Sequence, residues 1–301
     1  MKCRRCRATA QVKLPSHHTG FCPECFDVFF SRQVAKAIKD HSMIRPGERV
    51  LVALSGGKDS LGLARELARQ GHDITGLHVY LGIAGSSDQV LGKVDAFCQR
   101  ESIPLQVASA PEEGLAIPLI KECLTRPVCA ACGAIKRHLF NKAAMDGGFE
   151  ALATGHNLDD ETARLFANTL RWDDAYLADQ GPVMPARQGF ARRIKPLYRL
   201  GEYETAAYAF LAGIDHGTAA CPYSPGASFT HHKELLAGLE ERSPGAKLQF
   251  YENFLKRGRP AFEKAREAPP DLSPCLTCGF PTQRETCTVC AMREAVREAA
   301  C

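Results

Sequence analysis

Six consecutive residues, Ser55-Gly56-Gly57-Lys58-Asp59-Ser60, hold the densest chemistry of this chain, between an apolar run from Arg49 to Leu54 and a helix-like run from Leu61 to Arg69. A strand, a glycine turn and a helix start make a cradle for an anion. The glycines let the backbone approach a phosphate oxygen, the helix start aims free N–H groups at it, and Lys58 adds a full positive charge. A G-x-x-x-x-G-K-[ST] loop is excluded, because Val52 stands where its first glycine belongs and Asp59 follows Lys58. The expected guest is a nucleotide pyrophosphate. A lone Gly-Gly-Lys would mean no more than a turn with a solvated lysine, but two serines, an aspartate and the strand-to-helix setting favour the cradle.

Fourteen cysteines supply the second chemistry. Cys3-x-x-Cys6 with Cys22-x-x-Cys25, and Cys275-x-x-Cys278 with Cys287-x-x-Cys290, each offer four thiolates on two short turns. That is the donor set of a closed tetrahedral zinc site, and a full shell leaves no open position for catalysis. Two structural Zn2+ ions are therefore expected, each stabilising a terminal segment too short to bury a core of its own. His17 and His18 read as solvated or phosphate-contacting residues.

The remaining motif, Cys129-Ala130-Ala131-Cys132, opens a helix-like segment, and Cys221 stands alone before Pro222. Three cysteines make an incomplete zinc shell. An iron-sulfur cluster on three thiolates would leave one iron open to an exogenous ligand, whereas a redox C-x-x-C with an unrelated Cys221 is the plainer alternative. If Cys132 begins a helix, Lys136 shares its face four residues on. Cys98, Cys123 and Cys301 fit no site, and the first two read as buried helix residues.

These groups need a scaffold that alternates strands and helices. Expected strands are Val50 to Leu54, Ile74 to Tyr80, Leu105 to Ala108 and Ala151 to Thr154, with helices at Leu61 to Gln70, Ser87 to Arg100 and Cys132 to Met145. The fold class is α/β, a parallel sheet with the nucleotide across the carboxyl ends of its strands. The organisation expected is a ribbon at 1–30, a catalytic domain at 31–268 and a second ribbon at 269–301. A net charge of +4, from 38 basic and 34 acidic residues among 301, neither requires nor excludes nucleic acid. No leader-like apolar region follows Met1-Lys2-Cys3, and no apolar stretch reaches about 18 residues, so a cytoplasmic protein with no membrane contact is expected.

The loop resembles the S-G-G-x-D-S signature of the PP-loop ATP pyrophosphatases. With Cys129-Ala130-Ala131-Cys132-Gly133, Lys136-Arg137 and Gly155-His156-Asn157-Leu158-Asp159-Asp160-Glu161-Thr162-Ala163, the resemblance extends nearly end to end to the tRNA thiolation branch. The two terminal ribbons are similar to those of the TtuA-type tRNA 2-thiouridine synthetases. This resemblance implies an adenine nucleotide alpha hydrolase-like fold, a site for ATP and Mg2+ and a [4Fe-4S] cluster on Cys129, Cys132 and Cys221. It implies that Ser55, Gly56, Gly57, Lys58, Asp59 and Ser60 hold the pyrophosphate, that Ala53 and Val79 meet adenosine, and that Gly155 lies beside the nucleotide. Lys136 and Asp160, with Ser55, are the implied catalytic residues. Asp159 and Asp160 also read as caps of a helix starting near Leu158.

The implied reaction adenylates the C2 oxygen of a tRNA uridine and lets a sulfur nucleophile displace AMP, at uridine 54 of the T-loop in preference to wobble uridine 34. Amidation or lysidine-type chemistry, and a non-enzymatic zinc-ribbon RNA adaptor, are the alternatives. The implied partners are tRNA, a ubiquitin-like carrier ending in a thiocarboxylate, and a second copy in a homodimer. Arg4, Arg5, Arg7 and Lys13, and the run Arg187, Arg192, Arg193, Lys195 and Arg199 in a stretch that looks irregular, are candidate contacts to the RNA backbone. Lys256-Arg257-Gly258-Arg259 is a third, weaker candidate.

Overall fold

The computed structural model describes residues 1–218, 221–223, 228–265 and 271–299. Of the first cysteine set, Cys3 and Cys6 lie in a turn before the hairpin β1 (Val12–Leu14) and β2 (Thr19–Phe21), and Cys22 and Cys25 lie at the start of α1 (Pro23–Asp40). Pro23 opens α1, where its missing N–H costs nothing. Phe26, Phe30, Val34 and Ala37 recur at helical spacing and are buried, and Phe30 stacks on Tyr208 with ring centroids 3.8 Å apart. The ribbon thus shares the main core; its own residues Val12, Leu14 and Phe21 join the cluster that holds Val50, Val52 and Leu61.

Six strands and the helices between them then follow: β3 (Arg49–Ala53), α2 (Lys58–Arg69), β4 (Asp73–Tyr80), α3 (Ser86–Glu101), β5 (Leu105–Ser109), α4 (Ile117–Cys123), α5 (Val128–Asp146), β6 (Ala151–Ala153), α6 (Leu158–Arg171), α7 (Asp174–Asp179), β7 (Val183–Met184) and β8 (Arg192–Ile194). The sheet order is β5-β4-β3-β6-β8-β7, parallel throughout except where β7 returns along β8. Val50, Leu51 and Val52 are wholly buried, as a central parallel strand covered on both faces requires. The chain winds outward from β3 in one direction and from β6 in the other. The crevice between these strands is the topological switch point, where open α/β sheets bind ligands.

The four strands expected from the sequence are present, shifted by a residue at some ends. Helix α5 begins at Val128 rather than Cys132, since Pro127 is conformationally suited to precede a helix. Cys129 and Cys132 consequently lie one turn apart in the same helix. The stretch around Arg192 is not irregular: Arg192–Ile194 pairs with β6. Its two arginines disguise it as a loop. After β8 come α8 (Glu202–Leu211), α9 (Ser228–Arg242), α10 (Ala246–Asn253) and α11 (Arg259–Ala265), with a π-helical turn at Phe254–Gly258. Cys98 is buried in α3 and Cys123 is half-buried at the end of α4, while Cys301 and the position between 268 and 269 lie outside the described residues. No helix is long and apolar enough to cross a membrane among the described residues.

The second cysteine set sits on β9 (Ser273–Pro274), β10 (Pro281–Thr282) and α12 (Thr288–Ala299). Val289, Met292 and Val296 of α12 bury against Ile117 and Ile120 of α4 and Ile135 and Leu139 of α5. In each terminal set the four sulfur atoms lie within 4.8 Å of one another. Tetrahedral zinc with Zn–S bonds of about 2.3 Å needs sulfur edges of about 3.8 Å. Cys6 and Cys22 are 3.5 Å apart and Cys278 and Cys287 are 3.8 Å apart. Burial opposes ionisation of the Cys275 thiol, but N–H donors of Cys287, Cys278 and Thr277 outweigh it and bring its pKa down to about 6. Both sets can therefore close around zinc.

One buried ion pair ties the layers together. Lys195, just past β8, donates to both carboxylate oxygens of Glu161 at 2.8 Å, and Tyr251 of α10 donates to the same carboxylate at 2.7 Å. Burial opposes the charge on Glu161, but Lys195 outweighs it and holds the carboxyl below the ordinary Glu value of 4.5. A depressed carboxylate pKa adds stability above the unfolded-state value and loses it as pH falls through the folded one.

Two tests follow from this packing. Glu161→Leu leaves Lys195 buried without a counter-charge, at a cost of about 3–5 kcal/mol, whereas Glu161→Leu/Lys195→Met recovers most of it. Thermal midpoints of the two variants check this, and equal losses would refute the pairing; acidification below pH 4.5 should lower the wild-type midpoint more than that of the double variant. Cys290→Ser should reduce zinc from two ions per chain to one by elemental analysis, with local loss of amide protection in α4 and α5. Unchanged zinc content would remove Cys290 from the ligand set.

Candidate functional site

The loop Ser55–Gly57 connects β3 to α2 and is closed by its own serines. The Ser55 N–H donates to Ser60 Oγ at 3.1 Å, the Ser60 hydroxyl donates to the Gly57 carbonyl at 2.9 Å, and the two hydroxyls are 3.1 Å apart. Gly56 has φ +80°, and a Cβ there would stand 2.4 Å from Val90 of α3. Both facts require glycine. Gly57 caps α2, so the first N–H groups of that helix face the crevice.

Lys58 does not point into open solvent. Its ammonium donates to Asp59 at 2.9 Å and pairs with Glu202 at the start of α8. Burial works against its charge, but the two carboxylates outweigh it and hold its pKa above the ordinary Lys value. Glu202 also accepts from Asn157 Nδ2 at 3.0 Å, and so joins α8 to the turn after β6.

That turn approaches the loop very closely. A Cβ on Gly155 would be 2.7 Å from the Ser60 nitrogen and 2.9 Å from the Asp59 carbonyl carbon. Asn157 and Asp160 form a reciprocal capping box at 3.1 Å that starts α6. Asp160 is in addition paired with Lys233 of α9 at 2.5 Å, and Lys233 lies 3.6 Å from Glu202. The expected capping role of Asp160 is thus present, alongside a second one. Asp159 is turned away: it accepts from the Glu202 N–H at 2.8 Å and from Lys247 at 2.6 Å, and serves the start of α8.

Ahead of these elements lies a cavity of about 590 Å³, within the range of about 300–1,000 Å³ of small-molecule sites. Of the residues singled out in the sequence, Ala53, Ser55, Gly57, Asp59, Ser60, Val79, Gly155, Cys132, Lys136, Asp160 and Cys221 line it. Gly56, Lys58 and Cys129 do not line it: Lys58 borders a separate hollow with Phe210 and His216, and the Cys129 thiol donates to the Tyr223 carbonyl at 3.3 Å. Sequence reasoning missed His78, whose Nδ1 donates to the Leu54 carbonyl at 2.8 Å and which burial and nearby Lys136 keep neutral. It missed Glu202 and Lys233 as well. The signal for Glu202 was a Gly-Glu-Tyr-Glu helix start; nothing local marks Lys233.

Cys132 and Cys221 line this cavity, and Cys129 lies one turn before Cys132 on α5. Burial pushes the Cys132 thiol up, Lys136 pulls it down, and Cys221 and Cys129 push it up again. Among the described residues only the two terminal sets bring their ligand atoms within 4.8 Å. The inner set is not drawn together to that degree, and two of its thiols come from one turn of α5. The basic run divides in two. Arg192 pairs with Glu48, Lys195 with Glu161 and Arg199 with Glu252, so three of its members are spent inside the fold. Arg187 and Arg193 line a second cavity. Arg4, Arg5, Arg7 and Lys13 are exposed.

Known proteins are similar to this chain along its length. The PP-loop domain family matches residues 27–218, and the 2-thiouridine synthetase TtuA N-terminal LIM domain matches residues 2–27. The tRNA-5-methyluridine(54) 2-sulfurtransferase of Thermus thermophilus is 41% identical, over 98% of this chain and 92% of its own. The protein of the same description from Pyrococcus horikoshii is 37% identical, over 96% and 93%. The structure of the U34-tRNA thiolase NcsA from Methanococcus maripaludis, with its [4Fe-4S] cluster, superposes with a TM-score of 0.81 at 26% identity, covering 98% of this chain and 96% of the other. With a PP-loop, three inner cysteines and a TtuA-type LIM ribbon in one chain, the protein belongs to the PP-loop family of tRNA 2-sulfurtransferases.

Proposed function

We propose that the chain thiolates C2 of uridine 54 in tRNA, with ATP as the activating co-substrate. The observation that carries this reading is the single cavity that joins the serine-closed anion loop, Lys136 and Asp160 to Cys132 and Cys221. The relatives described as 54-specific are 37–41% identical to the chain. A second reading, wobble uridine 34, is favoured by the NcsA likeness.

In the first half-reaction the uridine O2 attacks the α-phosphorus of ATP and pyrophosphate leaves. The α2 N-terminus and the Ser55–Ser60 loop hold the departing pyrophosphate, and Lys136 faces the negative charge that develops on the transferring adenylyl group. The triphosphate competes with Glu202 and Asp59 for Lys58, so that ammonium exchanges carboxylate partners for phosphate ones. Asp160 is the carboxylate that would hold Mg2+, which supplies charge neutralisation on the phosphates, once Lys233 gives way. Ala53 and Val79, at the ends of β3 and β4, border the adenosine, and Gly155 lets the nucleotide pass close to the backbone.

In the second half-reaction a sulfur nucleophile adds to C2 and AMP departs with the former O2. Cys129, Cys132 and Cys221 fit a [4Fe-4S] cluster, which when bound supplies one iron without a protein ligand, a Lewis-acidic position for a sulfur donor. Half-buried Leu81 and buried Ile83 give the cavity wall an apolar side that limits competing water at the activated carbon. The same reading includes a thiocarboxylated ubiquitin-like carrier as donor and a homodimeric enzyme, on the strength of the family resemblance.

Anaerobic incubation of cluster-reconstituted protein with unmodified tRNA, Mg-ATP and sulfide should yield 2-thiouridine, mapped by nuclease fragments and mass spectrometry to the T-loop. A thiolated anticodon fragment instead would transfer the assignment to position 34. Lys136→Ala and Asp160→Ala should each lower kcat by about 10²–10³, with iron content retained. Cys132→Ser should lose iron and thiolation while still binding ATP by calorimetry. Full activity after Cys129→Ala would move the protein to the amidation class.

A further inference from the structure

Helix α5 separates two cavities. Cys132, Lys136 and Phe140 face the one described above, while Ala134, Arg137, His138 and Asn141 face a second, of about 660 Å³, enclosed by α5, the β7–β8 hairpin and the C-terminal ribbon. Lys136 and Arg137 are consecutive, so the two chambers stand one helix width apart, about 10–12 Å.

The second cavity has the chemistry of a nucleotide site. Its walls carry Arg126, Arg137, Arg187 and Arg193 against one carboxylate, Asp179. Burial and the neighbouring guanidinium of Arg137 work against the charge on Arg193, and Asp179 offsets only part of this. An anion placed here relieves that repulsion, and the planar guanidinium suits a phosphate. Aromatic faces supply the other half. Phe280 of the ribbon lies 5.2 Å from Phe190 and 4.2 Å from His138, ring to ring. His138 is 5% exposed, burial and nearby Arg293 keep it neutral, and its Nδ1 has no hydrogen-bond partner in the structure. An unmet donor or acceptor at this depth is unusual.

We propose that this cavity receives a nucleotide of the tRNA strand next to the target uridine, its phosphate on Arg137 and Arg193 and its base against Phe190 and Phe280. The proposal rests on the tRNA thiolation reading. An unstacked loop is the RNA form that offers a base and its phosphate separately to aromatic and arginine groups. A strand that places one base before Lys136 needs only to cross α5 to place a neighbour here. The C-terminal ribbon then has a second task besides bracing α5, because Phe280 and Thr282 belong to it.

The test uses the full-length, metal-loaded protein. Arg126 and Arg137 are exposed, so Arg126→Glu/Arg137→Glu spares the core. Anisotropy with labelled, unmodified tRNA should show at least ten-fold weaker binding and a salt slope reduced by about two, with ATP affinity by calorimetry unchanged. Phe190→Ala should weaken binding by roughly five-fold or more with its salt slope intact. Wild-type affinity and slope in both variants would overturn the proposal. So would unchanged tRNA affinity with thiolation lost only when a thiocarboxylated protein replaces sulfide, since that makes a protein donor the occupant. Failure of the wild-type protein itself to bind tRNA would instead refute the thiolation reading.

Discussion

The close contact between the turn after β6 and the start of α2 sets the geometry of everything around the main cavity. Two parallel neighbours in a sheet release their chains at the same edge, and here Gly155 comes so near Ser60 that no side chain fits between them. The starts of α2 and α6 are thereby forced to converge. Two helix N-termini aimed into one crevice make a positive field without any ion, and the glycine at 155 is what allows the pair to meet. Asn157 completes the junction by reaching both Asp59 and Glu202.

The charges at this junction are all matched before any substrate arrives. Lys58 is held by Asp59 and Glu202, Lys233 by Asp160, and Lys247 by Asp159. Burial alone would disfavour ammonium groups here, and the pairing with carboxylates holds them in place. Under the proposed function, a triphosphate reaches Lys58 by an exchange of partners rather than by the creation of a new ion pair.

Much of this was legible in the sequence wherever a local pattern carried it. The glycine loop, the C-x-x-C pairs and the strand-to-helix alternation each fix their own geometry over a few residues. Long-range pairing was not legible. Nothing near Lys195 announces Glu161, and Arg192 and Arg199 looked like a nucleic-acid surface until Glu48 and Glu252 were found opposite them. Lys233 sits on a helix whose own residues say nothing of Asp160. The start of α5 was not legible either: cysteine and alanine propensities leave the boundary open, and Pro127 sets it at Val128.

Helix α5 presents neighbouring residues to two different chambers while its third side is clamped by α4 and α12. Each residue along a helix turns the next one by about 100°. Deleting or inserting a single residue between Cys129 and Asn141 would therefore rotate cysteines, lysine and arginine out of their compartments together, whereas point changes disturb one compartment at a time. The geometry thus restrains the length of this segment more tightly than its composition.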